Sequence, residues 1–328
     1  MHTEIGHAAG APPVPRRRSL RETLSVYLRL GNMKVYIQWL PALIGWSLVA
    51  DPFGLSPVEV AALALFVLAC LTGAASGGAL DHLQGFRDGI DQQTYGASDV
   101  LGGYQTKSDA SIKPLVTGEI TDPEARRFGI GIGVVSVALG TVAILIAPES
   151  PWWLVPLWAA WVLASSQYAY GTKISYYGPA ELLLGIEIGA IVCFPVLFLE
   201  GALSWTGAFQ AYLIGTLFSQ VTLFSMIYDR EADASARRLT LAVRLSPRAY
   251  RIVLAIWIVT GWAVAVTGFA VGALDLWLLP AWLPVWAMQV AQLVYGVVRG
   301  DALTARRLGW HAFDVAFVTF VLANLLTG

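Results

Sequence analysis

The sequence predicts an all-α polytopic membrane protein with nine transmembrane helices, and three observations carry that prediction. Of 328 residues, 56% are hydrophobic and only 13% charged, whereas a soluble domain carries about a quarter charged residues. Apolar stretches of about twenty residues recur along the chain, the length a helix needs to cross a bilayer. The 21 lysines and arginines fall into alternate loops. The net charge of −1 singles out no partner, and no nucleic acid is expected. Cys70 and Cys193 lie within apolar segments and read as packing residues rather than a disulfide framework.

Residues 1–24, with the basic run "PRRRSLRE", are expected to form a disordered cytoplasmic tail, and 25–328 the membrane domain. No small-residue cleavage site follows the basic run, so no cleavable signal peptide is expected. Spans are expected at 33–50, 57–80, 125–147, 152–170, 179–199, 205–228, 250–273, 276–298 and 310–327. The first is the weakest, because Lys34, Gln38 and Pro41 interrupt it. With this layout every cation falls on one side, while the short opposite loops hold Asp51, Glu149, Glu200 and Asp275. The positive-inside rule then puts the N-terminus and all long loops in the cytoplasm, with the plasma (inner) membrane as the expected location.

Two long polar loops, 81–124 and 229–249, each begin with aspartates, and they start 148 positions apart. That layout suggests a duplication of spans one to four as five to eight. The second loop opens "DREAD". On a helix Asp229 and Asp233 sit about 40° apart and face one way, and Arg237 continues the face. The first opens "LDHLQGFRDGID". Asp81, Gln84 and Asp88 share about 60° of arc if the helix continues, and Asp91 extends the stripe. Solvated border acids are the bland reading. Against it, carboxylates near a helix C-terminus oppose the dipole, and ionisable groups at membrane depth tend to be functional.

Two such clusters at one membrane face suit a divalent cation. Mg²⁺ takes oxygen ligands and bridges carboxylates to substrate phosphates, while nearby cations such as Arg87 and Arg230 donate to phosphate oxygens. Acids and bases around an apolar cavity fit an anionic head on a long apolar tail, the shape of a prenyl diphosphate.

At these residues the chain resembles the UbiA superfamily of intramembrane prenyltransferases. "DREADASARRLTLAVRLSP" resembles the family's second acidic motif with its basic stretch and "TLAV" run. "LDHLQGFRD" resembles the first, with Asp81 and Asp88 as first and third acids and Gln84 as the second. A second register, toward the naphthoate branch, aligns "GID" and makes Asp91 the last acid, with Gly85 in place of the second; both registers stay open. "KPLVTGEIT" resembles the segment opening the family's third span, with Lys113 as phosphate-side cation. "YGTK" resembles a tyrosine–lysine pair, giving Tyr170 and Lys173 that role.

The resemblance implies helices around a central cavity and Mg²⁺ held by Asp81, Gln84, Asp88, Asp91, Asp229 and Asp233. Asp81, Asp88, Asp229 and Asp233 would be catalytic, and Arg87, Lys113, Lys173, Arg230, Arg237 and Tyr170 would grip the diphosphate. The implied reaction is prenyl transfer from a prenyl diphosphate to a lipophilic aromatic or quinone-type acceptor. The alternative is a cyclase that needs no acceptor. A transporter or pigment scaffold would want acids near mid-span, and the spans read as nearly free of charge. Residues 92–112 are expected to cap the site. "GAASGGA" (73–79) and "GIGIG" (129–133) read as small-residue helix packing.

Overall fold

The computed structural model describes residues 18–32, 38–95, 113–178 and 180–327. Expectations for residues 1–17, for 33–37 at the opening of the first span and for most of the cap (96–112) lie outside the described residues. In chain order the helices are α1 (Leu20–Leu30), α2 (Ala42–Ser47), α3 (Pro57–Arg87), α4 (Ile90–Tyr95), α5 (Asp122–Ile146) and α6 (Leu154–Gln167). After them come α7 (Ala180–Glu200), α8 (Trp205–Ser235), α9 (Leu241–Arg244), α10 (Pro247–Ala270), α11 (Leu279–Gln292) and α12 (Ala302–Thr327). No strand occurs among the described residues.

Seven helical segments are long and apolar enough to cross a membrane: α3, α5, α7 from Leu182, α8, α10, the Leu276–Val298 run containing α11, and α12. The chain is an integral membrane protein. The expected spans at 33–50 and 152–170 hold shorter helices, six residues in α2 and 14 in α6. Pro41 stands directly before α2, where its ring can begin a helix but not continue one. Fourteen residues rise only about 21 Å, short of a hydrocarbon layer of about 30 Å.

α3 and α8 have the same length, 31 residues. Each starts on a serine cap, with Ser56 accepting from the Glu59 N–H and Ser204 from the Gly207 N–H. Each outlasts its expected span by seven residues, because the acidic segments continue the helix instead of leaving it as loop. α8 is the central helix: 67% of its apolar window is buried, against 33% for α3. Val134, Leu145, Ile186, Ile256 and Leu322 point outward, the positions a helix bundle turns to lipid.

The two small-residue runs pack α3 on α5 as expected. Ser76 Oγ donates to the Gly129 carbonyl at 2.7 Å and Ser136 Oγ to that of Ala69 at 2.7 Å. A Cβ on Gly133 would come within 2.7 Å of Ser76 Oγ, so only glycine permits this approach. Buried amides hold other helices together. Asn324 bonds Gln210 and Ser47, and Gln289 bonds Trp262 and Gln220, the polar glue of membrane bundles.

At the N-terminus the structure differs from the expected tail. Helix α1 already begins at Leu20, on a capping box between Ser19 and Glu22. Leu20, Leu24 and Leu28 are exposed along one face while Val26 and Leu30 are buried, the pattern of a helix lying on a membrane surface. Arg29 fastens α1 to the 113–121 turn through Glu119, at 2.9 and 2.6 Å.

Candidate active site

Helix α3 ends at Arg87, and Asp88 caps it. Gly89, at φ +76°, then turns the chain in a conformation that L side chains rarely adopt. The expected continuous stripe is therefore broken, and Asp91 arrives on α4, folded back over α3. A Cβ on Gly85 would stand 2.9–3.0 Å from the carboxyl atoms of Asp91. Lys113 Nζ lies 3.0 Å from Asp91 Oδ1, with the side chains only 8% and 7% exposed. Burial pushes the Asp91 carboxyl above its ordinary range, and the Lys113 ammonium pulls against that shift without cancelling it. Asp91 Oδ2 is buried with no hydrogen-bond partner.

Helix α8 ends in a turn that aims a cation back at α3. Arg237 sits in the left-handed region at φ +57°, with its N–H on the Ala234 carbonyl and the Arg238 N–H on that of Asp233 at 2.8 Å. This is the Schellman arrangement, built on arginine in place of the usual glycine, at a cost of roughly 1–2 kcal/mol. It leaves Arg237 exposed, so Arg237 does not extend the Asp229–Asp233 face. Arg238 instead reaches Asp81 at 3.5 Å. Burial works against the Arg238 charge, yet Asp81 and Asp233 hold its guanidinium above its ordinary pKa. Asp233 is buried and accepts from Thr240 Oγ1 at 3.4 Å. Asp229 lies one turn earlier, two turns beyond Thr222 on the same face.

A third piece comes from the turn between α6 and α7. Tyr176 donates its hydroxyl to Asp88, and Gln84 Nε2 donates to the other Asp88 oxygen at 2.6 Å. Lys173 lies 3.8 Å from Asp88. Lys173 and Arg238 both lie over the Tyr176 ring, 4.9 and 5.0 Å from its centroid, within cation–π range. The Leu239 N–H donates to the Tyr176 carbonyl at 3.1 Å. Arg238 and Tyr176 thus draw the acidic ends of α3 and α8 to one place.

Beneath lies a cavity of about 210 Å³. Asp81, Gly77 and Gly78 of α3 line it, with Trp161 and Ser165 of α6, Leu184 and Glu187 of α7, and Phe218 and Thr222 of α8. Its walls are mostly apolar, and the polar cluster stands at one end.

The structure brings together Asp81, Gln84, Asp88, Asp91, Lys113, Lys173 and Asp233, with Asp229 one turn away. It does not bring in four expected diphosphate ligands. Arg87 is taken by Asp122 at 2.6 and 2.7 Å, and Tyr170 lies beside Arg87. Arg230 donates to the Leu245 carbonyl at 3.1 Å, and Arg237 faces solvent. Three residues escaped the sequence reading. Arg238 was hidden because the helix end could not be placed to a residue. Tyr176 was passed over for Tyr170. Glu187 did carry a signal, being the one charged residue between 182 and 199.

Among the described residues no three His, Cys, Asp or Glu side chains converge closely enough to hold a metal by themselves. The donors nonetheless fit Mg²⁺ in kind. They are hard oxygens, Asp91 Oδ2 has an unused lone pair, and a magnesium ion keeps several waters and leans on substrate phosphates rather than on a closed protein cage.

A membrane-embedded helical bundle that gathers carboxylates and cations at one end of an apolar chamber defines a class of protein built for an anionic head on a greasy tail. The chain belongs to the UbiA prenyltransferase family, whose family model matches residues 38–320. It is 29% identical over 154 residues to the 1,4-dihydroxy-2-naphthoate octaprenyltransferase of Mycobacterium tuberculosis. That match covers 45% of this chain and 52% of the relative, so it spans about half the relative's length. The fold is shared with digeranylgeranylglyceryl phosphate synthase at a TM-score of 0.66 and 14% identity, covering 93% of this chain and 99% of that one. It is also shared with a UbiA homologue from Archaeoglobus fulgidus solved with DMAPP and Mg²⁺, at a TM-score of 0.62 and 15% identity, covering 92% and 99%.

Proposed function

We propose that the protein is a Mg²⁺-dependent intramembrane prenyltransferase that moves a prenyl group from its diphosphate to an aromatic or quinone-type acceptor. One observation carries the reading: Arg238 joins the acids of α3 to those of α8 at the mouth of an apolar chamber. The relative named for a naphthoate substrate and the neighbour solved with DMAPP and Mg²⁺ support the acceptor and the metal.

Asp81, Gln84, Asp88 and Asp91 on one side and Asp229 and Asp233 on the other would hold the metal. Magnesium, when bound, lends positive charge to the diphosphate and to the departing pyrophosphate. Lys113, Lys173 and Arg238 add donors to phosphate oxygens. The ring faces of Trp161 and Phe218 suit a developing allylic cation, and the apolar walls exclude the water that would quench it. The N-terminus and the site face the cytoplasm of a plasma (inner) membrane, in keeping with the placement of cations. Nine crossings are kept if the α2 region and α6 each make a short one. A cyclase without acceptor is the second reading, favoured by the missing second acid at Gly85.

The test supplies C10, C15 and C20 diphosphates with and without aromatic acceptors and reads products by mass spectrometry. Prenylated acceptor is expected from the wild type. Asp229→Ala should lower turnover by at least roughly 10²-fold while the protein still extracts folded. Full activity in that variant ends the metal assignment, and hydrocarbon formed without acceptor selects the cyclase.

A further inference from the structure

Glu187 is a carboxylate inside a span, seven residues into α7 and so about 10 Å from its start. It lines the same chamber as Asp81, which sits six residues, about 9 Å, before the end of α3. The turn leading into α7 is bonded to the cap of α3, Tyr176 to Asp88, so the two carboxylates stand at similar depth on different walls. Their company differs. Asp81 faces Arg238 at 3.5 Å. Glu187 is bonded by Ser165, and among the described residues no lysine or arginine pairs with it. Packing alone does not explain an acid here, because ionisable groups in the bilayer are costly and mark function. Leu184, Ile188, Ile191 and Phe218 line the chamber with it, and Ser165 is the hydroxyl that bonds it, so its carboxyl can also receive a donor from a molecule held in the chamber.

We propose that Glu187 binds the acceptor and takes its proton, and that the acceptor is therefore a hydroxylated aromatic without a carboxylate of its own. This rests on the transfer reading above. In the step, the allylic C–O bond breaks and pyrophosphate leaves with the electron pair. A ring carbon of the acceptor bonds to the allylic carbon, and the proton on that ring carbon passes to a Glu187 oxygen. The resulting carboxylic acid returns the proton to water after product leaves. Before the step, an acceptor hydroxyl donates to Glu187 and orients the ring. Glu187 can take the proton only in its ionised form, and a carboxylated acceptor would then set two anions side by side in an apolar chamber, which is strongly unfavourable.

The experiment uses the full-length protein in nanodiscs with Mg²⁺ and whichever of the C10, C15 and C20 diphosphates it consumes best. The probes are 1,4-naphthohydroquinone, its dimethyl ether and 1,4-dihydroxy-2-naphthoate. The wild type should prenylate the hydroquinone faster than the naphthoate and leave the ether untouched. Glu187→Gln should prenylate the hydroquinone roughly 10²-fold more slowly while still releasing pyrophosphate and prenyl alcohol, and Glu187→Asp should recover part of the rate. Equal hydroquinone rates in wild type and Glu187→Gln overturn the proposal, and so does equal loss of pyrophosphate release. Should Glu187→Gln fail to fold, the wild type decides alone: an ether as good as the hydroquinone, or a preferred naphthoate, overturns it. A wild type that makes only hydrocarbon overturns both this role and the transfer reading, whereas a prenylating wild type with an indifferent Glu187 overturns this role alone.

Discussion

Helices α3 and α8 are the same device built twice, with one part relocated. Their serine caps (Ser56 and Ser204), their lengths and their first acids (Asp81 and Asp229) all coincide at an offset of 148 residues. The second acid does not: Asp233 of α8 corresponds to Gly85 of α3. Yet the space at Gly85 holds a carboxylate, because Asp91 lies just where a side chain on residue 85 would begin. In α8 one helix supplies both acids. In α3 the second comes from α4, across the left-handed Gly89, and is held by a buried lysine. The lesson is that a carboxylate missing from one helix can be supplied at the same place by a neighbouring element, provided something anchors that element.

The anchor is where the difference between the two ends should show most. Lys113→Met leaves Asp91 buried and unpaired, and breaking such a pair costs about 3–5 kcal/mol. The unfolding midpoint in detergent should fall by roughly 5–15 °C, and Lys113→Met/Asp91→Asn should recover most of it without recovering activity. Arg238→Met at the α8 end should cost less, since of its two partners Asp81 is 42% exposed and can be solvated, and buried Asp233 keeps the Thr240 hydroxyl. Equal losses at the two ends would show that the α3 end does not depend on its lysine in the way the burial implies.

The relocation itself can be reversed. Gly85→Asp alone would crowd two carboxylates into one space, displace α4 and reduce turnover roughly tenfold. Gly85→Asp/Asp91→Asn returns the acid to α3, as in α8, and should regain most of that loss. If the double variant is as poor as the single, Asp91 does more than stand in for the absent acid.

How much of this was legible beforehand follows the same division. Seven of the nine expected spans are legible as apolar runs of spanning length, and the packing runs and the DxxxD face of α8 are local patterns that the sequence carries openly. The α3 end is not local. Its helix stops at Arg87, Gly89 reverses the chain, and Asp91 meets a lysine 22 positions on. A stripe drawn through Asp81, Gln84, Asp88 and Asp91 assumes continuous helix and so misplaces the last of them. Arg237 and Arg238 show the same limit. A one-residue uncertainty at a helix end decides which arginine faces the acids, and the left-handed turn gave the place to Arg238. Arg87, Arg230 and Arg237 stand near acids in sequence, which says nothing about a nearer partner such as Asp122 for Arg87, and Tyr170 follows from the "YGTK" resemblance, which does not tell it from Tyr176.

The smallest expected effect concerns the segment that carries Lys113. Arg29 of α1 grips Glu119 in that turn by an ion pair, whereas the segment after α8 is held by Arg230 on the Leu245 carbonyl. Hydrogen bonds from Arg29 hold the Glu119 carboxyl below its ordinary pKa, with burial opposing. A carboxyl whose pKa is depressed on folding adds stability that is fully present above its unfolded value of 4.5 and is lost as pH falls through the lower folded value. The Glu119 side chain is 34% exposed, so water screens the pair and its contribution stays near about half a kcal/mol. Unfolding midpoints of wild type and Glu119→Gln, measured from pH 7 to pH 3, should therefore differ slightly at neutral pH and converge below about pH 4. Raising the salt concentration at pH 7 should narrow the gap as well, since exposed pairs are screened. Curves that stay parallel down to pH 3 would mean that the carboxylate charge is not what ties α1 to the turn, and that the placing of Lys113 does not depend on that charge.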